Sequence, residues 1–289
     1  GEFVKKDTIK VEEGETTITK LVIMKPSDND DFDLTEENHT TTPKIVFQAQ
    51  VLPEELNWKG KISWKLKLEY DTVGGHGPWK SEKEFKTTNR EEHKLTYSSE
   101  GGKVTVNAKA TIGKIECKKS IIITITGVAI PDNTITTRLK NLYDGTTKNI
   151  LTGIATVESS YIQFFPGMSK YGVTDRWPRE SYDGGSHIGL MQVVTNMKRA
   201  WNWLTNTKAA ADLFKANIRQ SENHVKNVRK KYPELRKLTD VEHENNALSI
   251  YRAGNHYYYV PNTNQTDWIE NPDNSTGVDY AKRVRENLK

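Results

Sequence analysis

The feature that most limits what this chain can fold into is a change in the spacing of its apolar residues near Gly127. Before that point the period is two. Ile62, Trp64, Leu66, Leu68 and Tyr70 alternate with polar residues, as do Val104, Val106, Ala108, Ala110 and Ile112, and Ile121, Ile123 and Ile125 follow. Successive side chains of a strand point to opposite faces, so this pattern predicts half-buried β-strands. After Gly127 the steps become three and four, which is helical spacing. Ile135, Leu139, Leu142 and Tyr143 mark a first helix that starts near Pro131-Asp132-Asn133, and a second is predicted from about Thr147 to Tyr161. The longest runs near Thr207 to Lys231, where Ala210, Leu213, Phe214, Ile218, Ser221, Val225 and Val228 form a core stripe that Pro233 brings to an end. Two further helices are expected, from Asp240 to Ala253 and from Val278 to the C-terminus, with one long loop between Phe164 and His187.

A chain of 289 residues has length for about two domains. The change of period divides it into an all-β domain (1–128) and an all-α domain (129–289). In the first, residues 4–24 read as strand, with Thr17-Ile18-Thr19 and Leu21-Val22-Ile23 rich in β-branched types. Pro26 to Pro43 is acidic and polar and reads as a loop. Turn clusters such as Gly74-Gly75-His76-Gly77-Pro78 separate the alternating runs, and short strands at that spacing predict an antiparallel sandwich of immunoglobulin-like type. It lacks the paired cysteines of antibody domains. The lone Cys117 excludes an internal disulfide and leaves no cysteine cluster for a metal. The expected role of this domain is spacing, docking or adhesion.

Several function classes drop out on composition. No apolar run approaches the roughly 18 residues of a membrane span. The histidines His187, His224, His243 and His256 show no metal-ligand spacing, so neither a metal nor another cofactor is expected. Residues 1–130 carry 20 Lys+Arg against 21 Asp+Glu, and residues 131–289 carry 22 against 17. The mildly basic second half suits an anionic polymer, but with no dense Lys/Arg stripe outside the helix around Arg229-Lys230-Lys231 nucleic acid is only a weak alternative.

One acidic residue stands out. Glu158 lies in the apolar run Ile154-Ala155-Thr156-Val157-Glu158-Ser159, one helical turn after Ile154 and two after Leu151. A carboxyl near a buried face is costly unless it is paired, protonated or used.

Four motifs then occur in order: Glu158-Ser159; Gly189-Leu190-Met191-Gln192; Tyr251-Arg252-Ala253-Gly254; and Tyr280 within Asp279-Tyr280-Ala281-Lys282-Arg283-Val284. Together they resemble the lytic transglycosylase/goose-type lysozyme superfamily over roughly Ile150 to Leu288. The resemblance implies a lysozyme-like catalytic domain in which Glu158 is the catalytic acid. It places Ser159, Gly189, Leu190, Met191, Gln192, Tyr251 and Tyr280 in or beside a sugar cleft, with Gly189 letting sugar approach the backbone. The loop Tyr182-Asp183-Gly184-Gly185-Ser186-His187 looks like the goose-type loop that precedes this turn, which makes Asp183 the candidate second carboxylate and Asp175 a poorer one. Arg252 stands where the family usually has asparagine. Val194 stands where goose-type enzymes often carry another aspartate.

The implied activity is cleavage of the β-1,4 bond between N-acetylmuramic acid and N-acetylglucosamine in peptidoglycan, with Glu158 as general acid and Asp183 assisting water. The alternatives are a lytic transglycosylase giving 1,6-anhydro products, a chitinase, and a non-catalytic wall-binding protein. The expected partner is the peptidoglycan strand. Gly1-Glu2-Phe3 reads as an expression remnant with no export signal, so delivery to the periplasm or cell wall by a secretion or phage-tail apparatus is expected, with an immunity protein in the toxin case.

Overall fold

The computed structural model describes residues 19–71, 79–165, 176–181 and 185–288. It divides into two compact units. The first ends at Val128 and takes in Arg176 and Trp177; the second runs from Ala129 to Phe165 and resumes at Pro178.

The first unit holds β1 (Lys20–Lys25), β2 (Asp31–Asp33), β3 (Lys44–Leu52), β4 (Lys61–Tyr70), β5 (Trp79–Thr88), β6 (His93–Thr96), β7 (Gly102–Ile112) and β8 (Ile115–Thr126). They form a three-stranded sheet, β1-β3-β6, and a five-stranded sheet, β2-β8-β7-β4-β5. The alternating residues are buried: Ile62, Trp64, Leu66, Leu68 and Tyr70 are at most 1 % exposed. Register keeps them on one face, since Trp64, Leu66 and Leu68 stand opposite Ala108, Val106 and Val104. Phe47 of β3 meets Trp64 of β4 edge to face at 5.8 Å, within the favoured range for aromatic pairs, so the two sheets share a core.

Two expectations about this unit are corrected. The acidic segment from Pro26 to Pro43 is more than a loop: it contains β2, which pairs parallel with β8. Its aspartates are tied down, Asp28 by the backbone N–H of Ile122 at 2.8 Å and Asp33 by the Thr126 hydroxyl at 2.7 Å. A three-residue strand carrying two aspartates has no strand-like composition to read. The expected architecture, an immunoglobulin-like sandwich joined to an all-α domain, is likewise not what is found. The chain is mixed α/β, its strands lie in several sheets, and a sheet with a parallel member is not the antiparallel arrangement expected. Period-two burial reports which face of a strand is inward and is silent on its neighbour. The strand expected over 4–24 is described only as β1, and the Gly74–Pro78 turn lies outside the described residues.

The second unit is helical but not all-α. It contains α1 (Asp132–Leu142), α2 (Ile150–Ser159), β9 (His187–Ile188), β10 (Val193–Val194), α3 (Met197–Trp201), α4 (Trp203–Lys231), α5 (Asp240–Ala253), β11 (Tyr259–Pro261), β12 (Trp268–Glu270) and α6 (Ser275–Glu286). β9 with β10, and β11 with β12, make two small antiparallel sheets that the helical periodicity did not reveal. Strands of two or three residues are too short to show a period.

Helix α2, ILTGIATVES, is apolar on nearly every side, and Ile150 to Ala155 are all buried. Such a helix belongs inside a bundle. Gly153 permits it: a Cβ there would lie 2.6 Å from the Val284 carbonyl of α6. Helix α4 begins four residues earlier than its apolar stripe implies, because Asn202 caps it through the Thr205 N–H at 3.0 Å and Trp203 is buried. Leu213, expected in the stripe, is 40 % exposed. Helix α5 opens on a capping box between Thr239 and Glu242, and α6 on Asn274, whose side chain accepts from the Gly277 N–H. Among the described residues, no helix is long and apolar enough to cross a membrane.

Candidate active site

A cavity of about 440 Å³ opens in the second unit, in the size range of ligand clefts. Glu158 lines it from the last turn of α2, together with Val157. Gln192 lines it from the turn that follows β9, Tyr251 and Arg252 from the end of α5, and Tyr280 and Arg283 from α6. Arg179, Glu180, Ser181 and His187 complete the wall.

The Glu158 carboxyl is half-buried. Burial pushes its pKa above the ordinary carboxylate value; the Tyr280 hydroxyl and the charges of Arg252, His187 and Arg179 work against that rise. Its place at the C-terminal end of α2 adds to the upward push, since the helix dipole disfavours an anion there. Tyr251 and Tyr280 lie below the carboxyl with parallel rings, centroids 6.4 Å apart. Both hydroxyls are held far above their ordinary pKa, first by burial and then by the neighbouring Glu158 charge. The Tyr280 hydroxyl faces Glu158 without closing a hydrogen bond of ordinary geometry, and it has no other partner among the described residues.

The turn Gly189-Leu190-Met191-Gln192 stands beside Glu158 because four side chains clamp it. Ser159 donates to the Leu190 carbonyl at 2.6 Å. Gln163 accepts from the Leu190 N–H at 2.9 Å and donates to the Ala200 carbonyl at 2.6 Å. Asn206, fully buried on α4, accepts from the Met191 N–H at 2.9 Å and donates to the Ile188 carbonyl at 2.8 Å. Tyr251 donates to the Met191 carbonyl at 2.7 Å. A buried turn of four backbone units needs such partners, and here side chains supply them.

These contacts reassign several expected roles. Of the nine residues singled out in the sequence, four line the cavity: Glu158, Gln192, Tyr251 and Tyr280. Ser159, Leu190 and Met191 are 1 % exposed or less and act as framework. Gly189 has φ +78°, and a Cβ there would sit 2.4 Å from the Asn206 amide nitrogen and 2.7 Å from that of Gln163. The missing side chain therefore makes room for the clamp. The Gln192 amide donates to the Gly189 carbonyl at 2.8 Å, bracing the turn from within. Asp183 and Asp175 lie outside the described residues.

The sequence reading passed over Gln163, Asn206, Arg179 and Glu180. Arg179 donates to the Ser159 carbonyl at 2.6 Å and so fixes the end of α2. Glu180, 8 % exposed, reaches the cavity wall from an isolated bridge to Ile188. Neither Gln163 nor Asn206 sits in a recognisable motif; an amide in the apolar first turns of α4 was the one available hint. Among the described residues, no group of three or more His, Cys, Asp or Glu side chains comes together to hold a metal.

Helices α2, α5 and α6 and the turn after β9 thus define a polar groove around the Glu158 carboxyl, with Glu180 also on its wall. Against known proteins, this chain matches no protein-family model, no curated protein and no solved structure.

Proposed function

We propose that the second unit cleaves glycosidic bonds in peptidoglycan, with Glu158 as the general acid. The observation that carries this reading is the environment of that carboxyl. It lies on the wall of a sugar-sized groove, and burial keeps its proton to higher pH than an exposed glutamate would. Glycoside cleavage needs such a group, because the leaving oxygen must receive a proton as the bond to the anomeric carbon breaks. The ordered resemblance of Glu158-Ser159, Gly189 to Gln192, Tyr251 and Tyr280 to the transglycosylase/goose-type lysozyme superfamily supports the same reading.

In the hydrolytic route Glu158 protonates the oxygen linking N-acetylmuramic acid to N-acetylglucosamine. Water then adds to the anomeric carbon and gives up a proton to a second carboxylate. Glu180 is the second carboxylate on the described groove, and Asp183, three residues further on, is the one expected from the resemblance. A second route has the muramyl 6-hydroxyl attack instead, with ionised Glu158 taking its proton, to yield a 1,6-anhydro product. Arg252 and Arg179 favour it, since both lower the cost of ionised Glu158 between the two proton transfers.

The partner in either route is the glycan strand, which places the protein in the periplasm or cell wall after delivery by a secretion or phage-tail apparatus. Purified sacculi should be cleared by the wild type and not by Glu158→Gln. Equal clearing by both would remove Glu158 from the chemistry, and clearing by neither would favour a wall-binding role.

A further inference from the structure

Three arginines, Arg179, Arg252 and Arg283, line the groove beside Glu158 and Glu180. Helix α5 ends on Tyr251-Arg252, and α6 carries Tyr280 with Arg283 three residues on, hence on the same face. Each helix therefore brings a tyrosine and an arginine to the groove, Tyr280 buried and Tyr251 half-buried. Arg252 and Arg283 are exposed, both line the cavity, and neither forms an ion pair or a side-chain hydrogen bond with any described residue. Other arginines of this unit are occupied: Arg236 bonds Glu242 and Asp267, and Arg285 bonds Glu244.

Two exposed guanidinium groups on the wall of one groove, neither in an ion pair with a described residue, suit a carboxylate, and the charge of Arg252 also reaches Glu158. The planar fork can donate two parallel N–H bonds to it, which a neutral sugar hydroxyl cannot match. The departure at Arg252, where the resembling family usually has asparagine, exchanges a neutral amide for a cation at this point. We infer that Arg252 and Arg283 form an anion subsite beside Glu158, which makes a carboxylate-bearing glycan the preferred substrate over a neutral one. The inference rests on the glycosidase reading and adds the substrate charge that the groove selects.

In intact peptidoglycan the lactyl carboxyl of muramic acid is amide-bonded to the stem peptide, so the carboxylate comes from that peptide; a free lactyl carboxylate is present only where the peptide has been removed. Initial rates with wild type, Arg252→Gln and Arg283→Gln should be measured on four substrates: intact sacculi, sacculi capped by carbodiimide amidation, sacculi stripped of stem peptides by an amidase, and chitin hexamer. On intact sacculi each variant should show KM raised roughly tenfold with a smaller change in kcat. Amidation should slow the wild type to the level of the variants and leave the variants unaffected, and Arg252→Lys should recover part of the loss. Amidase stripping removes the peptide carboxylates and frees the lactyl one: arginine dependence lost on stripped sacculi assigns the subsite to the stem peptide, and dependence retained shows that the subsite also accepts the lactyl carboxylate. Chitin should be cut poorly by all three. Equal discrimination between native and amidated sacculi by wild type and variants would overturn the inference while leaving the glycosidase reading in place. No cleavage of any substrate by the wild type would overturn both.

Discussion

The Ser159 hydroxyl donates to the Leu190 carbonyl at 2.6 Å, so the residue after Glu158 is fastened to the middle of the turn that carries Gln192 into the groove. The same hydroxyl accepts from the Ile162 N–H at 3.1 Å, as the chain leaves α2 through Ser160 and Tyr161, both with positive φ. One side chain thus fixes both the exit from the helix and the position of the turn beside it. That explains why a serine follows the glutamate, in terms of geometry and not of direct chemistry.

Removing that hydroxyl should therefore cost both stability and activity. Ser159→Ala leaves the Leu190 carbonyl buried without its donor, which should destabilise the fold by about 1–3 kcal/mol. Thermal unfolding measures the first effect and the rate of sacculus clearing the second. Gly189→Ala should do worse, since it adds a strained φ to a clash with the Asn206 and Gln163 amides. A Ser159→Ala variant with unchanged unfolding and unchanged rate would contradict the framework role.

The pH dependence follows from the direction of the Glu158 shift. A general acid must be protonated, so the rate falls as pH rises through its pKa. Burial raises that pKa, so the falling limb should lie above the ordinary carboxylate range. Tyr280 and Arg252 both pull the pKa down, and removing either should raise it further. Tyr280→Phe and Arg252→Gln should each move the falling limb to higher pH. A limb that stays in place, or moves to lower pH, would show that the rate reports a different group.

The helper carboxylate can be assigned by comparing two variants. Glu180→Gln should lower hydrolysis by roughly a hundredfold, the usual contribution of a positioned base, with its melting temperature checked alongside. Asp183→Asn should then have a small effect. The reverse pattern would return the water-activating role to Asp183. Full activity in both variants would favour the intramolecular 6-hydroxyl route.

Much of this was readable in the residues, and what was not has a physical cause. Buried faces were legible wherever a period persisted for several residues, as in β4, β7 and α1. Glu158 was legible because a charge in an apolar helix is rare. Partners were not: β2 joins β8 through a backbone ladder and two aspartates that look like a solvated loop. The clamp was also hidden, because Gln163 and Asn206 act through backbone groups far away in sequence, where side-chain type carries no pattern. For the same reason the room that Gly189 leaves for two amides is not legible in the sequence.

A buried polar knot behind the site should govern stability. Glu244, 1 % exposed, accepts from the Tyr143 hydroxyl at 3.0 Å and the Thr147 N–H at 2.9 Å, and pairs with Arg285 at 3.1 Å. It ties the segment before α2 to α5 and α6. Arg285→Met strands that carboxylate and should destabilise the protein by about 3 kcal/mol, measured by urea unfolding. The exposed Arg236–Glu242 pair offers a contrast. The Arg236 guanidinium holds the Glu242 carboxyl down to about 2, so its contribution is full above the ordinary glutamate value and fades as pH falls towards 2. Arg236→Gln should therefore differ from wild type at pH 7 and converge with it near pH 2.

The most direct test of the central claim is mass spectrometry of the material released from purified sacculi by wild type and by Glu158→Gln. Cleavage by Glu158 predicts disaccharide-peptide fragments that end in muramic acid, either reducing or lighter by one water as the 1,6-anhydro form, from the wild type alone. Release of the same fragments by Glu158→Gln, or of fragments cut only in the peptide, would contradict it.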